Sequence, residues 1–243
     1  MSGFRADTRR LWRRSARYRP RTATGWIVAI TIACYVIELL AVQPVLDTFA
    51  LDTAALLPDG PFEPWRLLTS ILLHAPIGAG TGIVNITHIG FNMYAVYLFG
   101  RPLESLLGAG RLVALYLLAG LGGSVAVVYW SFFVLHAPME VYGASGAVFG
   151  ILGASVVIQR RLGIDVRYLY FLIVLNFALA FVIPGIAWQA HVGGLVIGAL
   201  TGWVFVVHRG PRRRTQAIVA GSGIGVALVV LAVAPAVVQS LVA

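Results

Sequence analysis

Ala190-His191-Val192-Gly193-Gly194-Leu195-Val196-Ile197-Gly198-Ala199-Leu200-Thr201-Gly202 sets a histidine near the start of an apolar run and follows it with glycines at positions 194, 198 and 202. Four-residue spacing places those glycines on one helix face. A stripe of small residues in an apolar helix lets a second backbone come close. A matching stripe, Gly146 and Gly150, follows Ser145 in Gly143-Ala144-Ser145-Gly146. The two stripes predict backbone contact between their segments, which would bring Ser145 beside His191. A third apolar segment carries His88 and Asn92, one helical turn apart. Polar side chains at membrane depth are costly, which makes each a functional candidate. A hydroxyl, imidazoles and an amide are the groups acyl transfer requires.

Composition sets the environment. The chain has 243 residues, of which 59% are hydrophobic and 11% charged, against roughly 25% charged in a soluble domain. Mean hydropathy is +0.88. So few charges cannot cover a soluble surface, and the expectation is an all-α, polytopic membrane protein. One cysteine, Cys34, excludes an internal disulfide and a thiolate metal site, and reads as a small core residue. The net charge is +9 and every basic residue is arginine. These arginines cluster in short loops between apolar runs, which argues against a nucleic-acid partner.

Apolar segments fall at about 25–43, 83–100, 112–135, 145–159, 168–183, 188–207 and 216–239, each long enough or nearly so to cross a hydrocarbon core of about 30 Å. The N-terminus through Arg21 carries eight arginines. It reads as a basic cytoplasmic arm before a retained helix, either contacting anionic lipid or simply solvated. Arg101, Arg111, Arg160, Arg161, Arg167, Arg209, Arg212, Arg213 and Arg214 fall in alternate loops on the same side as the arm. Arg66 alone falls opposite. The positive-inside rule then puts the N-terminus in the cytoplasm and the C-terminus outside. The expected organisation is an arm (1–24), a six-helix core (25–207) with a long outer loop (44–82), and a basic loop with a seventh helix (208–243). Within the outer loop, the apolar stretch after Arg66 is too short to span and reads as an interfacial or re-entrant element.

The arginine ending each segment serves as a depth ruler at about 1.5 Å per helical residue. Ser145 then stands about 22 Å above Arg160, His88 about 20 Å above Arg101, and His191 about 27 Å above Arg209. Three segments deliver polar groups to one layer in the outer half of the membrane. Helix α-amides at a start on Ser145 lack intrahelical partners and could meet water or an oxyanion.

Each residue also has a plainer reading. The glycines could serve helix contact alone, His191 could be a hydrogen-bonded core histidine, and His88 with Asn92 could join helices. His74, at the end of the loop element, reads as a structural hydrogen-bonder, and His136 and His208 as interfacial. Glu38 is the one acid well inside a span, facing a polar cavity or snorkelling outward. With no HExxH and no carboxylate near His88 or His191, no metal or cofactor is expected. A single intramembrane acid excludes a paired-carboxylate mechanism.

Together these residues resemble the rhomboid family of intramembrane serine proteases. Gly143-Ala144-Ser145-Gly146 matches the family's GxSG, Ala190 to Gly198 its AHxxGxxxG, and His88 to Asn92 its HxxxN, while Trp65-Arg66 resembles its WR motif. The resemblance implies a six-helix rhomboid-like bundle, here with a seventh C-terminal helix. It implies Ser145 as nucleophile, His191 as general base, and an oxyanion site from His88, Asn92 and the Ser145 backbone N–H. Gly143, Gly146, Gly194, Trp65 and Arg66 would support them. Phe149 stands where the family often has a tyrosine packed on the histidine. Pro76 to Gly82 resembles an insertion between His74 and His88. Implied partners are transmembrane protein substrates in a lipid bilayer, in a bacterial plasma membrane. The alternatives are a catalytically silent rhomboid-like protein that binds client helices and a small transporter. A transporter would call for internal repeats, and none is evident.

Overall fold

The computed structural model describes residues 22–56, 60–74, 82–183 and 185–242. The basic arm through Arg21 and positions 75–81 of the insertion lie outside the described residues. Helix dominates the rest. The long helices are α1 (Ala23–Leu40), α4 (Gly82–Leu107), α5 (Ala109–Trp130), α6 (Ser145–Arg161), α7 (Arg167–Val182), α8 (Trp188–Val207) and α9 (Arg214–Val242). Short helices α2 (Val42–Phe49) and α3 (Arg66–Thr69) belong to the long loop after α1. Each apolar segment read from the sequence overlaps one long helix. Among the described residues, four stretches are long and apolar enough to cross a membrane, Ala23–Leu40, Ala109–Leu135, Trp188–Val207 and Arg214–Leu241, and Arg167–Val182 is a shorter apolar helix.

Three boundaries differ from the sequence reading. α4 continues past Arg101 and through Pro102 to Leu107, so Arg101 does not mark its end. The reason lies in Glu104: its carboxylate accepts the N–H groups of Ala23 (2.8 Å) and Thr24 (3.0 Å) and the Thr24 hydroxyl (2.6 Å). Thr22 Oγ1 accepts the Gly25 N–H as well. The first-turn donors of α1, orphans in an isolated helix, are thereby satisfied, and an anion sits at its N-terminus. α5 stops at Trp130 and gives way to a π-turn, Ser131–Leu135, closed by His136 in the left-handed region at φ 51. α9 begins and ends slightly beyond the apolar run.

The central contact joins α6, α8 and α5 through glycine. A Cβ on Gly194 would run into the Gly146 carbonyl oxygen, and one on Gly198 into the Gly150 backbone. Gly202 would meet the Ala154 Cβ at 2.7 Å. On the other side of α8, Gly193 abuts Gly122 of α5. No side chain fits between these backbones, so dispersion and close packing hold the three helices where the hydrophobic effect between spans is absent.

The first loop is tied down at several points. Its strand β1 (Leu51–Asp52) pairs antiparallel with β2 (Glu140–Val141), just ahead of α6. Thr53 makes the knot: its backbone N–H donates to Met139 O (3.0 Å), and its hydroxyl accepts the Met139 N–H (2.8 Å) and bonds Ser131 Oγ (2.8 Å). Arg66 is buried and donates to Ala50 O (2.8 Å), to Asp47 O and to the Glu63 carboxylate. The Trp65 indole is exposed and donates to Thr48 O (3.1 Å). α3 and the 3-10 turn after it (Ser70–Leu72) are packed, with Leu67 and Ile71 buried and Leu67 O accepting the Ser124 hydroxyl of α5 (2.8 Å). α9 closes the far side, where Leu228 and Ala232 join Leu51, Leu56, Leu67 and Val128 in one apolar cluster.

Cys34 departs from its expectation, and of the two readings of Glu38 one is excluded. Cys34 is half-buried, not in the core. Glu38 does not snorkel, because its side chain is fully buried and accepts the His74 backbone N–H at 2.9 Å.

Candidate active site

The chain enters α6 through Gly143, whose φ of +135 is strained for any L side chain. Its N–H donates to Ser70 O of the first loop (2.9 Å), which fixes the turn. Ser145 is the first residue of α6, so N–H groups without intrahelical partners surround its backbone. His191 lies on the first turn of α8 and is buried. The glycine contacts between α6 and α8 bring the two together: His191 Nε2 lies 3.0 Å from Ser145 Oγ. His191 Nδ1 is buried without a hydrogen-bond partner among the described residues, and no carboxylate reaches it.

The imidazole is held by rings. Phe149, one turn after Ser145, stacks on His191 with centroids 4.1 Å apart and planes 9° from parallel. Phe177 of α7 stands edge-on to both, at 5.9 Å from Phe149 and 6.4 Å from His191. The sequence reading missed Phe177; α7 is rich in aromatic residues, and nothing local marks this one.

The opposite wall comes from α4. A Cβ on Gly143 would lie 3.7 Å from His88 Cε1 and 4.0 Å from Ser145 Oγ, so His88 and Ser145 flank one small space over that glycine. Asn92 is buried one turn along. His74, read from the sequence as a structural hydrogen-bonder, joins them. It is fully buried, its ring meets His88 edge-to-face at 5.6 Å, and its Nε2 lies 3.5 Å from Asn92 Nδ2. Burial and the neighbouring His88 push the His74 imidazole pKa down to about 3, which keeps it neutral. Behind the Gly143 turn a cavity of about 20 Å³ is bounded by Ser70, Ser124, Gly146 and Ala190, room for a single water.

Of the residues singled out in the sequence, Ser145, His191, Phe149, Gly143, Gly146, Gly194, His88 and Asn92 converge here. Trp65 and Arg66 do not; Arg66 acts on the first loop alone. His136 and His208 lie away from the cluster and bond the carbonyls of Phe132 and Val204.

Comparisons with known proteins point the same way. Rhomboid protease GluP of Bacillus subtilis (strain 168) is 33% identical over 161 residues, covering 63% of this chain and 28% of that protein. RHOMBOID-like protein 6, mitochondrial, of Arabidopsis thaliana is 33% identical over 153 residues, covering 60% and 45%. Rhomboid protease AarA of Providencia stuartii is 28% identical over 212 residues, covering 74% and 71%. The chain thus spans less than half the length of the first two. Residues 61–208 match the model of the Rhomboid domain. That match takes in α3 to α8 and every polar residue of the cluster except Glu38, and with the apolar helices it makes this chain a multi-pass membrane protein of the rhomboid family.

Proposed function

We propose that the protein is an intramembrane serine endopeptidase working through a Ser145–His191 dyad. The observation that carries this reading is the 3.0 Å approach of His191 Nε2 to Ser145 Oγ, within the range for a nucleophile and its base. His191 takes the hydroxyl proton as Ser145 Oγ bonds to the scissile carbonyl carbon. The oxyanion accepts the Ser145 backbone N–H and donors from His88 and Asn92. The C–N bond then breaks, and His191 returns the proton to the leaving amine. Water, deprotonated by the same imidazole, attacks the acyl-enzyme, releases the new carboxyl end and restores the serine. With no acidic partner at Nδ1 among the described residues, ring contact with Phe149 and Phe177 orients the imidazole.

The substrates are transmembrane or membrane-adjacent segments of other proteins that unwind easily, since an intact helix keeps its carbonyls hydrogen-bonded. We place six helices (α1, α4, α5, α6, α7 and α8) in a core spanning 25–207, with α9 as an added seventh. The arginine distribution supports a cytoplasmic N-terminus and an extracytoplasmic C-terminus, and we place the protein in a bacterial plasma membrane. Names of relatives support proteolysis: GluP and AarA are both called rhomboid proteases.

The test is cleavage of a labelled single-span substrate by the purified full chain in detergent. Wild type cuts it and Ser145→Ala does not. Equal cleavage by both removes the proposal.

A further inference from the structure

The polar cluster does not end at the residues that would face substrate. Glu38, near the outer end of α1, is a fully buried carboxylate. Its Oε2 accepts the His74 backbone N–H at 2.9 Å, across 36 residues of chain. A buried carboxylate is expensive and is retained where it does something specific. Its position fixes where the first loop delivers His74. The His74 ring in turn lies against His88 and presents Nε2 to Asn92 Nδ2 at 3.5 Å.

The chemistry of that last contact matters. The Asn92 amide has one end with two N–H donors and one with an acceptor only. A neutral imidazole nitrogen facing it as an acceptor favours the amino end. One N–H then points at His74, which leaves the second N–H of that end free for another acceptor. An amide turned round would set its carbonyl oxygen where those N–H groups lie, and an oxyanion on that side would be repelled. His74 is well placed for this because it is neutral and has no water-exposed surface.

We propose that Glu38 and His74 are positioning residues: Glu38 anchors His74, and His74 holds the Asn92 amide with its N–H toward the oxyanion. This rests on the reading of Ser145 and Asn92 given above. Neither Glu38 nor His74 has to touch substrate. The arrangement also links the first loop to the rate of the chemical step, because His74 is reached from that loop and meets Asn92 of α4.

The experiment is a kinetic cycle on the full-length protein, with Ser145→Ala as the control for the activity itself. His74→Leu should lower kcat by at least about tenfold, and by no more than the about 10²–10³-fold expected for loss of an oxyanion donor, with KM within about twofold. In an Asn92→Ala background the same substitution should add nothing, because its effect passes through that amide. Glu38→Gln, which keeps an acceptor for the His74 N–H, should retain most of kcat, while Glu38→Leu should lose it as His74→Leu does. Full multiplication of the His74→Leu and Asn92→Ala effects overturns the proposal, as does a Glu38→Gln variant as impaired as Glu38→Leu. Cleavage surviving in Ser145→Ala would instead sink the underlying reading.

Discussion

The Phe149 ring lies flat on the His191 imidazole, 4.1 Å between centroids and 9° from parallel. Among the described residues no carboxylate reaches Nδ1, and this contact restrains the ring. Stacked aromatic pairs contribute about 0.5–1.5 kcal/mol beyond burial. Phe149→Leu should therefore lower kcat by about 2- to 12-fold, and Phe149→Tyr, which keeps the ring, should stay close to wild type. Steady-state cleavage of a single-span peptide measures both.

The backbone contact between α6 and α8 gives a sharp steric prediction. A methyl at Gly198 meets the Gly150 backbone, whereas one at Gly90 on α4 meets nothing within 4 Å. Gly198→Ala should destabilise by at least about 1–3 kcal/mol, the cost of overpacking, and should weaken activity by separating Ser145 from His191. Gly90→Ala should be neutral or raise stability by up to about 1 kcal/mol. Thermal unfolding in detergent reads both. A Gly198→Ala protein as stable and active as wild type would contradict the packing account.

Glu104 predicts a stability effect with little change in chemistry. Its carboxylate holds the N-terminus of α1 and the Thr24 hydroxyl, far from Ser145. Glu104→Ala should cost about 0.5–2 kcal/mol, as lost N-caps do. At temperatures where the variant is folded, kcat should be unchanged.

The Thr53 knot couples the first loop to the wall ahead of α6. Because the Ser131 hydroxyl donates to Ala137 O (2.7 Å), Thr53 Oγ1 donates to Ser131 and accepts from Met139. Thr53→Val preserves shape but strands both groups, at about 1–3 kcal/mol. Thr53→Ser, which keeps the hydroxyl, should recover most of that loss. Unfolding midpoints of the pair decide the matter.

How far the sequence could be read follows from the range of each signal. Apolar runs announce the long helices locally, and the glycine spacing of 146–150 against 194–202 announces that α6 meets α8. The closeness of Ser145 and His191 follows from that contact, so the pair was legible. The Glu104 cap on Thr24 was not, because its partners are 80 residues apart and Pro102 between Arg101 and Glu104 looks like a helix end. The surroundings of His74 are hidden for the same reason: its neighbours Glu38, His88 and Asn92 lie on two other helices. The β1–β2 pairing joins two-residue strands, too short to carry an alternation pattern.

The dyad itself is tested most directly by covalent chemistry at one atom. A fluorophosphonate reagent, applied to the purified full chain, should modify Ser145 in wild type, identified by mass mapping of the adduct. In His191→Ala, which lacks the base 3.0 Å from Oγ, the rate of modification should fall by about 10²–10⁴-fold. Modification of Ser145 at the same rate with and without His191, or of some other residue in its place, would contradict the account.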